Sequence, residues 1–224
     1  MIWQDKGFLL SKIKYNENSI IADFFTEKYG KTTGLVFGAS SQKIKNYLLI
    51  GNNFYLNFNS KNDNKIGYFK IELEKIKTPL YLGNEKKLLC IIYSMNLIKI
   101  LTVENQKNKI IYNLIDELFD ILAGKNWLTE YVLWELKVFK NVGYDINFED
   151  YVKKISYKNN IKFVVESNNK IVPNFLIYKN NLSDDLNEVM QGFKIVGEFL
   201  DKTILKPNNI SYPISRNNFV NSIK

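Results

Sequence analysis

The chain has 224 residues, 46% of them hydrophobic and 14% aromatic, with 31 basic against 23 acidic side chains, a net charge of +8 and no histidine. Such apolar content excludes a disordered chain, and no run approaches the ~20 apolar residues of a membrane span. The absence of histidine excludes Ser-His-Asp and Cys-His nucleophilic sites, and with one cysteine a four-ligand N/S zinc site is excluded as well.

Five segments of strand length come first: Lys6 to Tyr15, Ser19 to Thr26, Gly30 to Gly38, Gly51 to Phe58 and Lys65 to Glu74. Each is rich in Ile, Val, Phe, Tyr or Thr and bounded by Gly, Asn or Ser, the pattern of strands joined by tight turns. Five such strands in 78 residues predict an OB-like Greek-key barrel, a fold that closes its own edges and leaves a face for nucleic acid. Alternation turns Phe54, Leu56 and Phe58 inward with Phe69, Ile71 and Leu73, and turns Tyr55, Tyr68 and Lys70 outward.

After Thr78-Pro79 the apolar period lengthens from two to about 3.6, which sets a domain boundary there. Leu88, Ile91, Ile92, Met95 and Ile98 form one helical stripe. Ile111, Leu114, Ile115, Leu118 and Leu122 form another that stops at Gly124. A third helix from Asn126 to Gly143 is apolar on several sides and so central to a helical domain. Residues 151–182 revert to short extended runs with asparagine pairs at 159–160, 168–169 and 180–181, a small β insertion. A helix from Asp184 to Asp201 and a short one from Asn217 to Ile223 close the chain. The fold class is α+β: an OB barrel over 1–78, then a mostly helical domain over 79–224. Cys90, among Leu88, Leu89, Ile91 and Ile92, reads as an apolar filler.

Only carboxylate or lysine chemistry remains open to an enzyme. The tightest acidic groups are Glu149 with Asp150, and Asp184 with Asp185 and Glu188; the second has the form of a helix cap with an acidic first turn. A metal-dependent nuclease built on them is one rival reading, and an OB-fold RNA- or tRNA-binding module is another. The positive balance favours a polyanionic partner, and residues 1–78 carry twelve lysines against seven acids. Lys12 and Lys14 in the first strand, Lys28 and Lys31 around the second turn, and Lys43 and Lys45 after the third strand are the phosphate candidates. Tyr55 and Tyr68 are the base-stacking candidates, with Lys70 beside them. The opening Met1-Ile2-Trp3-Gln4-Asp5 has no basic segment leading into an apolar one, so a cytoplasmic address is expected.

Several motifs in order carry a family resemblance: Trp3-x-Asp5-x-Gly7-Phe8-x-Leu10, Glu17-x-Ser19-x-Ile21, Phe25-Thr26 with Gly30, and Gly34-x-Val36-x-Gly38-Ala39. Trp134-Glu135-Leu136 followed by Val142-Gly143-Tyr144 continues them, as do Gly192-Phe193, Gly197-x-Phe199-Leu200, Pro213 and Arg216. The chain resembles the bacterial recombination mediator family RecO over nearly its whole length. The resemblance implies a non-enzymatic DNA repair factor without cofactor. Such a factor binds single- and double-stranded DNA, anneals complementary strands and, with RecR, helps load RecA onto DNA coated by single-stranded DNA-binding protein. It further implies that the acidic, Phe-ended tail of that coating protein docks on the helical domain, where Lys137 and Lys140 offer charge. Two departures stand out. Ser40 takes the place of an arginine that many relatives carry after the Gly-Ala pair, and Tyr151 to Val172 holds none of the zinc-binding cysteines common in the family, so the insertion is expected to be zinc-free.

Overall fold

In the computed structural model, which describes residues 1–61, 66–157, 160–165, 170–179 and 182–224, all five N-terminal strands are present, the first beginning at Ile2, four residues before the expected Lys6, and the fourth at Asn53 rather than Gly51. They are β1 (Ile2–Lys14), β2 (Ser19–Thr26), β3 (Gly30–Phe37), β4 (Asn53–Asn59) and β5 (Gly67–Lys75). They pair in the closed order β1-β2-β3-β5-β4, every contact antiparallel except β3 to β5. β1 serves both neighbours: its first half pairs with β4 and its second with β2, with a register shift between Leu9 and Ser11. Lys65, the expected start of β5, lies outside the described residues.

The barrel closes where glycine permits it. Gly34 and Gly67 face each other across the parallel β3–β5 seam. A Cβ on Gly34 would meet the Phe69 ring at 2.6 Å, and one on Gly67 would meet Phe58 at 2.3 Å. The space these glycines leave is filled by aromatic rings: Trp3 stacks on Tyr29 at 4.4 Å and on Phe58 at 4.9 Å, and Phe24 meets Phe69 edge-on at 5.0 Å. A short helix that periodicity did not announce, α1 (Gln42–Tyr47), brings Ile44, Tyr47 and Leu48 against this core.

The described chain divides into two compact units, Met1–Asp116 with Pro213–Lys224, and Glu117–Tyr212. The first unit thus extends beyond the barrel. It includes α2 (Glu85–Leu101), which packs on β1, the first half of α3 (Lys109–Ala123) and the terminal helix α7 (Ile214–Ile223). Arg216, the only arginine, is buried and donates through Nε to the Tyr93 hydroxyl at 3.2 Å, fastening α7 to α2. Cys90 is fully buried in α2.

The second unit holds α4 (Trp127–Asn141), the short α5 (Asn174–Ile177) and α6 (Leu186–Phe199), which runs on into a π-helical turn over Leu200–Leu205. Tyr131 of α4 stacks near Trp134 and near Phe193 of α6, so the several-sided apolar surface of α4 is buried as its sequence required. Its C-terminus turns at Gly143, with φ +99°. The insertion is a three-stranded sheet, β6 (Val152–Tyr157), β7 (Asn160–Val165) and β8 (Ile171–Val172), in that order. Asn159, Asn168-Asn169 and Asn180-Asn181 lie outside the described residues. No described helix is long and apolar enough to cross a membrane.

Candidate nucleic-acid interface

The outer face of the barrel is decided by the β1 bulge. Before it, Lys6 and Phe8 point out and Trp3 points into the core; after it the parity flips. Ser11 and Ile13 therefore share the outer face with Asp23 and Ile21, while Lys12 and Lys14 lie opposite Ala22 and Ile20, whose side chains belong to the core. Two cross-strand rows result. One is polar, Ser11–Asp23–Thr33, and the other apolar, Ile13–Ile21–Leu35–Tyr68, running unbroken over β1, β2, β3 and β5.

The polar row is closed off by α2. Asp23 accepts from Ser11 Oγ at 2.5 Å, from Thr33 Oγ1 at 2.7 Å and from Lys99 Nζ of α2 at 2.7 Å. Burial alone would push the Asp23 carboxyl up, but these bonds from Lys99, Ser11 and Thr33 outweigh it and hold the group below its ordinary value. Lys31 reaches from β3 to donate to the carbonyls of Lys99 and Thr102 at 2.8 and 2.5 Å, capping the C-terminus of α2. Its ammonium is half-buried, and burial lowers its pKa. Lys31 thus faces the helix, and the phosphate role expected of it has no open ammonium to rest on.

The apolar row stays accessible: Ile13 is 60% exposed, Ile21, Leu35 and Tyr68 are half-buried, Tyr15 and Phe37 beside them are 60% and 56% exposed, and the Phe37 ring lies 5.9 Å from that of Tyr68. Lys70 shares the outer face of β5 with Tyr68 and is exposed. Tyr68 and Lys70 therefore join a platform that alternation had glimpsed only on β5. Ile13, Tyr15, Leu35 and Phe37 were missed as site residues, although Leu35 and Phe37 follow the same period on β3.

Tyr55 belongs elsewhere. It stands opposite Lys6, whose ammonium sits 4.7 Å over the ring and 2.6 Å from Glu74. The Glu74 and Tyr55 hydrogen bonds hold Lys6 above its ordinary range. This ring is already engaged in a cluster that includes a carboxylate.

The remaining lysines gather chiefly at the α1 end. Lys12 donates to the Leu48 carbonyl at 2.5 Å, and both burial and the neighbouring Lys45 charge lower its pKa. Lys14, Lys43 and Lys45 are exposed. The β1–β2 turn meets the α1 approach through Ser40 Oγ, which donates to Asn18 Oδ1 at 2.8 Å, so Ser40 stands within this lysine end. Lys28 is exposed at the β2–β3 turn, its backbone N–H held by Asp5 at 2.7 Å.

In the second unit, Lys137 and Lys140 line a cleft of about 920 Å³ with Ile121, Leu133, Leu136 and Ile146. Lys137 pairs with Glu117 at 2.5 Å and Lys140 with Asp145 at 2.8 Å. Of the acidic groups, Asp185 caps α6 by accepting from the Asn187 N–H and Glu188 accepts from Ser183 Oγ, while Glu149 lines the cleft beside Lys137 and Lys140. Among the described residues no three metal-ligating side chains gather.

A basic barrel with an open apolar-aromatic face, followed by a helical unit, is matched in tandem by two family models. The one described as Recombination protein O N terminal matches residues 1–76, and Recombination protein O C terminal matches residues 84–160. The chain belongs to the recombination protein O family. It is similar to DNA repair protein RecO of Ehrlichia chaffeensis, 31% identical over 66% of this chain and 60% of that protein. The protein of the same name from the Wolbachia of Drosophila simulans is 23% identical over 97% of this chain and 98% of its own length. That of Orientia tsutsugamushi is 25% identical over 100% and 98%. Among solved structures, asparaginyl-tRNA synthetase of Entamoeba histolytica overlays 94% of this chain and 59% of its own with a TM-score of 0.29 and 10% identity, a likeness that carries no argument.

Proposed function

We propose that this protein is a DNA repair and recombination mediator that acts by binding and pairing strands, without bond chemistry or cofactor. On this reading the barrel is an OB fold that takes single- and double-stranded DNA. The protein anneals complementary strands in the cytoplasm and, with RecR, helps load RecA onto DNA coated by single-stranded DNA-binding protein. The observation that carries the reading is the open row Ile13–Ile21–Leu35–Tyr68 with Phe37 beside it, flanked by Lys70 and by the lysine end of the barrel. Stacking on such rings is tolerant of sequence, and lysines contribute affinity by releasing counterions. Annealing needs that combination: neutralised phosphates and bases held without a sequence code.

The cleft in the second unit supports the tail-docking part of the proposal, with Leu133 and Leu136 to receive an apolar anchor and Lys137 and Lys140 to meet carboxylates. Their present ion pairs are surface pairs, worth about 0–1 kcal/mol each, so exchange for the carboxylates of a tail costs little.

The deciding experiment is fluorescence-monitored annealing of complementary oligonucleotides, naked and coated with single-stranded DNA-binding protein. Acceleration in both cases is expected. Failure to accelerate either, with tighter binding to folded RNA than to single-stranded DNA in competition, would replace the DNA reading by an RNA-binding one.

A further inference from the structure

The outer face of the barrel carries three successive cross-strand rows, and their charge changes from one to the next. Beyond the polar row and the apolar row comes a third: the Tyr15 N–H donates to the Ser19 carbonyl, Ser19 lies opposite Phe37, and Lys70 follows Phe69, which lies opposite Val36. This third row joins two exposed rings, Tyr15 and Phe37, to the exposed Lys70 ammonium. Successive rows are two residues apart along their strands, about 6.6 Å.

The polar row has a fourth member. β5 joins β3 only from Gly34 onward, and the edge of β3 before that point is taken by the segment that follows α2. There Glu104 forms a parallel bridge with Lys31, and the Asn105 N–H donates to the Lys31 carbonyl at 2.8 Å. The segment seats closely, since a Cβ on Gly30 would stand 1.9 Å from the Gln106 carbonyl oxygen. The row therefore reads Ser11–Asp23–Thr33–Glu104, with Thr33 Oγ1 2.7 Å from Asp23 Oδ1 and 2.9 Å from Glu104 Oε1. One hydroxyl proton serves two carboxylates. Asp23 is buried and has Lys99 and Ser11 as further donors, whereas Glu104 is exposed. Lys99 and Lys31, the cations of this flank, are engaged by Asp23 and by the last carbonyls of α2.

We propose that Glu104 orients a bound strand across the barrel. Its charge keeps phosphates off the polar flank, so the sugar-phosphate backbone lies along the Lys70 flank, the bases stack over the apolar row, and their pairing edges point toward Glu104, open to a complementary strand. The proposal rests on the nucleic-acid reading of the barrel and adds to it the direction in which the strand faces. Charge decides that direction: with a carboxylate on one flank and an ammonium on the other, a backbone lying the opposite way would meet like charge.

The test uses the full chain. Glu104→Gln keeps an acceptor for Thr33 and removes the charge, and Glu104→Lys reverses it. Glu85→Lys makes an equal reversal at the exposed first residue of α2, about 24 Å along the helix from Leu101. Binding of a fluorescent oligothymidylate is titrated at several salt concentrations, and annealing of complementary strands is followed at saturating protein. Glu104→Gln should tighten binding about twofold at low salt, by loss of one repulsion across a row spacing. Glu104→Lys should tighten it further and steepen the salt slope by about 0.7, one added phosphate contact. It should nevertheless slow annealing, because a backbone drawn over the apolar row covers the pairing edges. Glu85→Lys should leave slope and annealing as in wild type. Wild-type affinity and slope in both Glu104 variants overturn the proposal, as does Glu104→Lys annealing at or above the wild-type rate. So does Glu85→Lys matching Glu104→Lys, which would make net charge the whole effect. Weaker binding of oligocytidylate by Glu104→Gln, with oligothymidylate unchanged, also overturns it, Glu104 then accepting from base amines. Phe37→Ala, run alongside, separates the two readings. Weaker binding there with both Glu104 variants at wild type overturns the orientation alone, and wild-type binding in every variant overturns the barrel reading as well.

Discussion

Phe37→Ala is the sharpest perturbation of the barrel platform. Phe37 is the last residue of β3, more than half exposed, and its main ring neighbour on the outer face is Tyr68 at 5.9 Å. Removing an exposed ring at a strand end changes stability within about 0.5 kcal/mol, so the variant folds and any loss of affinity belongs to binding. A base stacked on an aromatic side chain contributes about 1–3 kcal/mol, which converts to roughly 5- to 150-fold in affinity. Tyr68→Ala should give a loss in the same range, and the double variant less than the sum, because adjacent rings sharing one base couple. The assay is fluorescence anisotropy with an oligothymidylate and with an abasic strand of equal length at one salt concentration. The abasic strand keeps every phosphate and offers nothing to stack. Phe37→Ala should weaken the first and leave the second unchanged. Wild-type affinity for oligothymidylate, or an equal loss on both strands, would refute stacking on this row.

Lysines of the two barrel environments should separate. Lys43→Ala with Lys45→Ala should flatten the single-strand salt slope by about 0.7 per lost contact. Lys31→Ala should leave the slope alone and instead lower stability by about 1–2 kcal/mol in denaturant titration, since two carbonyls of α2 lose a charged donor that is only half-buried. Asp23 predicts an acid dependence: its folded pKa lies below the ordinary 3.8, so its contribution is complete above that value and is lost as pH falls through the folded one. Asp23→Asn should therefore be destabilising at pH 7 and show a shallower fall in stability below about pH 4 than wild type; parallel curves would contradict the network. Purified protein should carry no stoichiometric zinc, and chelator should leave its melting temperature in place, because one buried cysteine and no histidine cannot make a zinc site. Lys137→Glu with Lys140→Glu should weaken binding of a synthetic acidic, Phe-ended peptide while sparing naked DNA; unchanged peptide affinity would move that site off the cleft.

The architecture was legible because period and punctuation agreed. β2 spans Ser19–Thr26 as read, β3 ends one residue short of Gly38, and α3 stops one residue before Gly124. In each case a glycine or asparagine marks a place where the backbone must turn, and the β-branched or helical stripe between such marks is long enough to name its element. α1 was illegible for the opposite reason. Six residues, Gln42–Tyr47, are too few to show a helical period, and what holds them is Ile44 and Tyr47 docking under a core assembled from distant strands. The π-helical turn after α6 is likewise continuous with a helical stripe in sequence, and only the backbone distinguishes it.

The site was legible only where alternation ran undisturbed. On β5 the period put Tyr68 and Lys70 outward and the register agrees; on β4 it put Tyr55 outward, also correctly, but alternation is blind to the Lys6 and Glu74 side chains that occupy the ring. On β1 a single bulge between Leu9 and Ser11 inverts the face, which is why Ile13 lies on the platform and Lys12 and Lys14 do not. A bulge has no fixed residue signature; it follows from β1 having to serve two partners around a closed barrel. Lys31 illustrates the remaining limit. Its neighbours in sequence are a turn and a solvent-facing strand, and nothing local says that a helix end seventy residues on will stop over it. Charge read along a chain counts every lysine alike, whereas partners are met only by those whose ammonium groups the fold has not already used. That distinction leaves Lys14, Lys43, Lys45 and Lys70 as the stronger phosphate candidates on the barrel, and it sets Lys31 with the groups that build the surface.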